Sequence, residues 1–176
     1  MKKKAWIAVA WILVVGFLFS LMPWHRNISV QTTAYEYALD RQEPLRTHDV
    51  TIEGKYFLNI WRRAPYFDGT FAVSGFPFSV EEPVRISFND DFGYHGMLYY
   101  RDEAGQPRSR EINQYRGEKD FSEFVVMLFE IEETAGKRTA SWDPETGHLL
   151  CTNAPDYEAL QAQCKQYGLD LWGVKP

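Results

Sequence analysis

An uncharged apolar run from Ala5 to Trp24, preceded by Lys2, Lys3 and Lys4, constrains this chain more than any other feature. As a helix rising about 1.5 Å per residue, such a run spans roughly 30 Å, the thickness of a bilayer's hydrocarbon core, with its backbone hydrogen bonds made internally. A cleaved secretory signal is the competing expectation. Its core is typically about 7 to 15 residues and ends in a small-x-small site. This core is longer and runs into Leu21, Met22, Pro23 and Trp24. The sequence therefore predicts an uncleaved anchor, with residues 1–4 cytoplasmic, 5–24 as a transmembrane helix and the remainder extracytoplasmic. Orientation follows from the three lysines on one flank against Arg26 on the other.

Of the 19 Lys and Arg, only these three lysines precede residue 25, leaving 16 against 24 acidic residues and a net charge of −8. An acidic domain of this kind excludes nucleic acid as a partner. The expected partners are the membrane, through one span, and a protein or other envelope component. The 152 residues after position 24 suit one domain with its own core. Residues 25–49 read as a juxtamembrane stalk or first strand, and 50–176 as the β-rich domain.

Its periodicity is mostly two. Val50 and Ile52, Phe71 and Val73, and Val84, Ile86 and Phe88 alternate with polar or small residues, as half-buried strands do. The run from Phe124 to Phe129 is apolar throughout and predicts a strand covered on both faces. Turn residues at Asp90-Asp91-Phe92-Gly93, Asp102-Glu103-Ala104-Gly105 and Asp143-Pro144-Glu145-Thr146-Gly147 predict hairpins, the last joining 137–142 to 148–152. Asp156 and Pro155 then open an amphipathic helix at about 155–167, with Tyr157, Leu160, Cys164 and Tyr167 on one face and Gly168 as its stop. The expected fold is α+β: mainly antiparallel β, sandwich-like or a curved sheet, with one C-terminal helix.

Cys151 and Cys164 are the two cysteines. In an extracytoplasmic domain the pair predicts a disulfide, closing a loop of about 14 residues and contributing roughly 3 kcal/mol; two buried free thiols are the alternative.

Catalytic chemistry has little support, and neither a metal nor a cofactor is expected. His95 with Asp90 and Asp91 forms the most polar stretch, but as a calcium loop from Asp91 it places Gly93 and His95 where oxygen ligands belong. His25 belongs to the membrane flank and His48 to a charged loop. His148, like His95, has no visible acid/base partner in the sequence. Ser74 lacks the outer glycines of a nucleophile elbow. For ligand binding, Trp61, Arg62, Arg63, Tyr66 and Phe67 combine cations and rings in one irregular segment. Paired aromatics such as Tyr56-Phe57 and Tyr66-Phe67 cannot all face one core, so some rings must look outward, be covered by another layer or be available for a ligand.

These readings favour a membrane-anchored extracytoplasmic binding or accessory protein without evident chemistry. An anchored envelope hydrolase whose site is assembled from separate strands, or a structural subunit of a membrane complex, are the alternatives.

Overall fold

The computed structural model describes residues 11–17, 24–58, 65–76, 79–80, 83–89, 95–101, 107–108, 112–134 and 137–169. For 89, 95–101, 107–108, 112–113, 130–134 and 137–140 the description extends to the backbone alone. Eleven strands are assigned: β1 Trp24–Ala38, β2 Arg46–Leu58, β3 Tyr66–Val73, β4 Val84–Asn89, β5 His95–Arg101, β6 Pro107–Arg108, β7 Ile112–Gly117, β8 Phe124–Leu128, β9 Glu130–Thr134, β10 Lys137–Ser141 and β11 His148–Thr152. A helix, Tyr157–Gln166, follows them.

All pairings are antiparallel, and the main sheet runs β4-β3-β2-β1-β11-β8-β7-β5-β6. An additional β4–β5 pairing joins its two sides, so the hydrogen-bonded circuit returns on itself through β1, β2, β3, β4, β5, β7, β8 and β11. The narrowest seam is β5–β7, where only His95, Gly96 and Met97 pair. A nearly closed meander of this kind leaves little exposed edge in the main sheet. At eight strands its interior is just wide enough to be filled by side chains.

The alternation seen in the sequence becomes inside against outside. Val50, Ile52, Tyr56, Phe67, Phe71, Val84, Ile86 and Phe88 point into the barrel with Tyr115, Phe121, Phe124 and Val126. Their rings meet mostly edge to face, as aromatic quadrupoles prefer: Phe67 lies 4.8 Å from Phe121, and Phe71 lies 5.4 Å from Phe124. The described interior is thus a packed core. β2 and β3 approach unusually closely at Gly54 and Gly69, which face one another in register. A Cβ on Gly69 would fall 2.1 Å from the Glu53 carbonyl oxygen, so only glycine lets the Phe67 ring cover this crossing.

β8 is buried at every position. Phe124, Val126 and Leu128 face the barrel interior, while Val125 and Met127 face a second apolar layer under the helix, with Tyr37, Leu149, Cys151, Leu160 and Cys164. The expectation of a doubly covered strand holds because wall and helix each claim one face. The helix begins where Asp156 Oδ1 accepts the Ala159 N–H at 2.9 Å, and its C-terminal turn passes through Gly168 at φ 66°.

Three expectations need correction. The 143–147 turn does not close a hairpin between 137–142 and 148–152: β10 pairs with β9, because β11 already has β1 and β8 on its two sides. Cys151 and Cys164 are free thiols rather than a disulfide. Both are buried in the second apolar layer, where the thiols pack as small apolar groups. His48 is not on a loop but within β2.

Among the described residues no helix is long and apolar enough to cross a membrane. The described part of the Ala5 to Trp24 run, 11–17, is helical with its side chains exposed. Trp24 itself opens β1, so most of 25–49 belongs to the first two strands.

Candidate functional site

The antiparallel register sorts the barrel into two ends. At one lie Trp24, the end of β2 at Leu58, the start of β3 at Tyr66, the end of β4 and the start of β5. At the other lie the ends of β1 and β3 and the starts of β2 and β11. Residues 24 and 36 are about 40 Å apart along β1 at about 3.3 Å per residue.

The second end carries a polar cluster that sequence reasoning missed. Glu36 on β1 points to the same face as Ala34, into the barrel mouth, and is only 8% exposed. In register it stands opposite Arg46 on β2 and Leu150 on β11. The histidines one pleat away on those strands lean in from both sides. His48 Nε2 lies 2.9 Å from Glu36 Oε2, and His148 Nδ1 lies 2.8 Å from Glu36 Oε1. His48 is 5% exposed, its ring 5.4 Å from that of Phe76. Its Nδ1 lies 2.5 Å from the Ser74 carbonyl oxygen. Gly75, at φ 87°, makes the turn after β3 that puts this carbonyl there.

The hydrogen-bond partners set the protons. A carbonyl only accepts, so His48 Nδ1 carries one. Burial pushes the Glu36 carboxyl up, but the hydrogen bonds and charges of the two histidines outweigh it and hold the group below its usual value. An ionised Glu36 accepts from both rings in this buried mouth. His148 donates through Nδ1 and is more open, its side chain 37% exposed. Its Nε2 is the ring nitrogen left for proton exchange. Such a row can hold a proton in place and pass one at its outer end. Among the described residues no group of three His, Cys, Asp or Glu is arranged to hold a metal ion.

Of the residues singled out from sequence, Tyr66, Phe67 and His95 lie at the first end. Phe67 is fully buried in the barrel and serves the core, not a ligand. Tyr66 points outward, stacked on Phe57 at 4.7 Å, with the Arg85 guanidinium 4.8 Å above it. Arg85 in turn pairs with Asp68. Trp61, Arg62 and Arg63 lie outside the described residues, between β2 and β3. Asp90 and Asp91 also lie outside them, while His95 opens β5 opposite Asn89 and Arg116. Two sequence-predicted clusters therefore fall between strands that end on the same side of the barrel.

His148 was visible as an acid/base candidate, but its partner was not. Glu36 and His148 are 112 residues apart and meet only because the last strand returns beside the first. The one local signal was Glu36 itself, a carboxylate at an inward position of an otherwise apolar alternation that includes Ala34 and Ala38.

Fold and cluster together define an up-and-down antiparallel β-barrel with an aromatic core, one helix on its outer wall and a histidine–carboxylate row in one mouth. No protein-family model, no curated protein and no solved structure matches the chain.

Proposed function

We propose that this is a single-pass membrane protein whose extracytoplasmic barrel binds a protein or another envelope component held at the same membrane. The observation that carries this reading is the packed interior: rings of Phe67, Phe71, Phe88, Tyr115, Phe121 and Phe124 occupy the space in which a barrel would enclose a small ligand. Recognition then belongs to the outer surface. The lysine-flanked run supplies the tether, with the N-terminus in the cytoplasm. Trp24 both closes the apolar run and opens β1, so the barrel follows the run directly in sequence. The segment with Trp61, Arg62 and Arg63 leaves β2 at that same end, which favours a partner in or on the bilayer.

The test is purification of the intact chain in gentle detergent. A stoichiometric partner that is lost with Arg62→Ala or Tyr66→Ala supports this reading, whereas recovery of the chain alone after cross-linking in intact cells overturns it. Protease added to cells lacking a wall should remove the barrel, and complete protection reverses the topology.

One observation favours the hydrolase alternative. Glu36, His48 and His148 come from three strands, and His148 Nδ1 is held by a carboxylate, as in a general base that acts through Nε2. Under that reading His148→Gln abolishes the cellular phenotype while the partner stays bound; under the binding reading it leaves the phenotype intact.

A further inference from the structure

The barrel end that carries Trp24 has an apolar character that the core does not explain. Trp24 and Leu58 face each other in register at the tip of the β1–β2 pair and are 48% and 52% exposed. Beside them, on the outer face, His25 lies 5.6 Å from Phe57, and Phe57 stacks on Tyr66. The row crosses β1, β2 and β3 and ends at Arg85. Tryptophan, tyrosine and stacked cations are the side chains that settle where a bilayer meets water, with an apolar body and a polar tip.

We infer that this end of the barrel seats on the lipid interface, with Trp24, Leu58, Phe57 and Tyr66 at headgroup depth. The inference rests on the anchor reading above and extends it from a tether to an oriented contact. Two observations commit it to the bilayer rather than to a soluble partner. Trp24 is at once the last residue of the apolar run and the first of β1, so the patch is continuous with the segment that enters the membrane. The local charge also fits: Arg26 is drawn inward, over the Tyr56 ring and onto the Lys119 carbonyl, and Arg85 is neutralised by Asp68. The patch therefore meets lipid without presenting the net acidity of the whole domain.

The far mouth then points away from the membrane. The Glu36 cluster is held roughly 40 Å up the barrel wall, facing the aqueous side.

The full-length protein, reconstituted in phosphatidylcholine vesicles containing a minority of phosphatidylglycerol, tests this. Leu58→Cys, and separately Asp40→Cys in the turn at the far end, are labelled briefly in the folded state with an environment-sensitive fluorophore, while Cys151 and Cys164 remain buried. The inference expects the protein to float with the vesicles, the probe at 58 to shift to the blue and lose most of its emission to bromolipids, and the probe at 40 to respond only to aqueous iodide. If the protein floats but both probes respond to iodide alike and neither to bromolipid, the seating is overturned and the anchor stands. If it does not float, the anchor reading fails and the seating with it.

Discussion

Glu36 and His48 hold each other in the buried mouth of the barrel, carboxylate oxygen to ring nitrogen at 2.9 Å, while the other ring nitrogen is fixed by the Ser74 carbonyl. Because that carbonyl can only accept, Nδ1 donates to it and Nε2 is the ring nitrogen turned to Glu36. His148 completes the cluster from the opposite side.

A pH dependence follows. Burial raises the Glu36 carboxyl and the two histidines lower it further, leaving its folded value below the usual 4.5. Folding therefore favours the ionised form. The stabilisation is fully present above the unfolded value and is lost as pH falls through the folded one. Glu36→Gln should cost about 1–3 kcal/mol at neutral pH, since it replaces the carboxylate that holds two histidine rings in a buried mouth with a neutral amide. It should also flatten the fall in stability below about pH 5 that the native chain shows. Urea denaturation at several pH values measures both; parallel curves for the two proteins would sink the assignment.

Phe121 is the second test. It sits at φ 63° in the β7–β8 connection, a conformation costly for a side chain with a Cβ, yet its ring is fully buried among Phe67, Phe88 and Tyr115. Ring packing offsets the backbone strain. The same connection is braced by Asp120, whose carboxylate takes the Ser122 N–H and hydroxyl and is thereby held below its usual range. Phe121→Ala should cost about 3–5 kcal/mol. Phe121→Gly should be no worse, reversing the usual order, because glycine relieves the strain. Thermal unfolding of the two variants decides it; a clearly less stable glycine variant would refute the argument.

How much of this was legible follows from the range of each interaction. The inward alternation of β2, β3 and β4, the doubly covered β8 and the capped helix are written in neighbouring residues, and the sequence displays them. Closure of the sheet is not local: β11 pairs with β1 across more than a hundred residues, and no periodicity reports which strand lies beside which. The misplaced strand partners trace to that. The 143–147 turn looked like a hairpin because its residues make a turn, but only the positions of β1 and β8 show that it links two sheets. Phe67 looked like a binding residue until the barrel placed it inside. His48 looked like part of a charged loop because its partners, Glu36 and Ser74, lie on other elements.

The two thiols give a third prediction. Cys151 is completely buried, and burial first, then its Cys164 neighbour, pushes its thiol well above the ordinary range. A thiol that ionises so reluctantly is a poor nucleophile. Maleimide should therefore label neither cysteine in the native protein over the time in which an exposed thiol reacts fully. Both should react after denaturation without reductant. Labelling that requires reductant would show a disulfide instead.

Arg116 supplies the last. Its guanidinium leaves β7 and donates through Nη1 to the carbonyl oxygens of Tyr167 at 3.2 Å and Gly168 at 2.8 Å. These groups lie in the turn that ends the helix, where carbonyls lack intrahelical partners and the helix dipole favours a cation. Burial lowers the Arg116 value from its usual one, but an arginine remains charged throughout the working range. One side chain thus ties the end of the helix to the barrel wall. Arg116→Ala should cost about 1–3 kcal/mol. The loss should be concentrated locally: amide exchange should speed up in 164–169 while β1 and β8 keep their protection, because the apolar layer beneath Leu160 remains. Arg116→Lys should recover only part of it, since an ammonium on a flexible stem cannot reproduce the guanidinium's fixed reach to two carbonyls. Uniform acceleration across the barrel in the alanine variant would mean that Arg116 supports the sheet rather than the helix end.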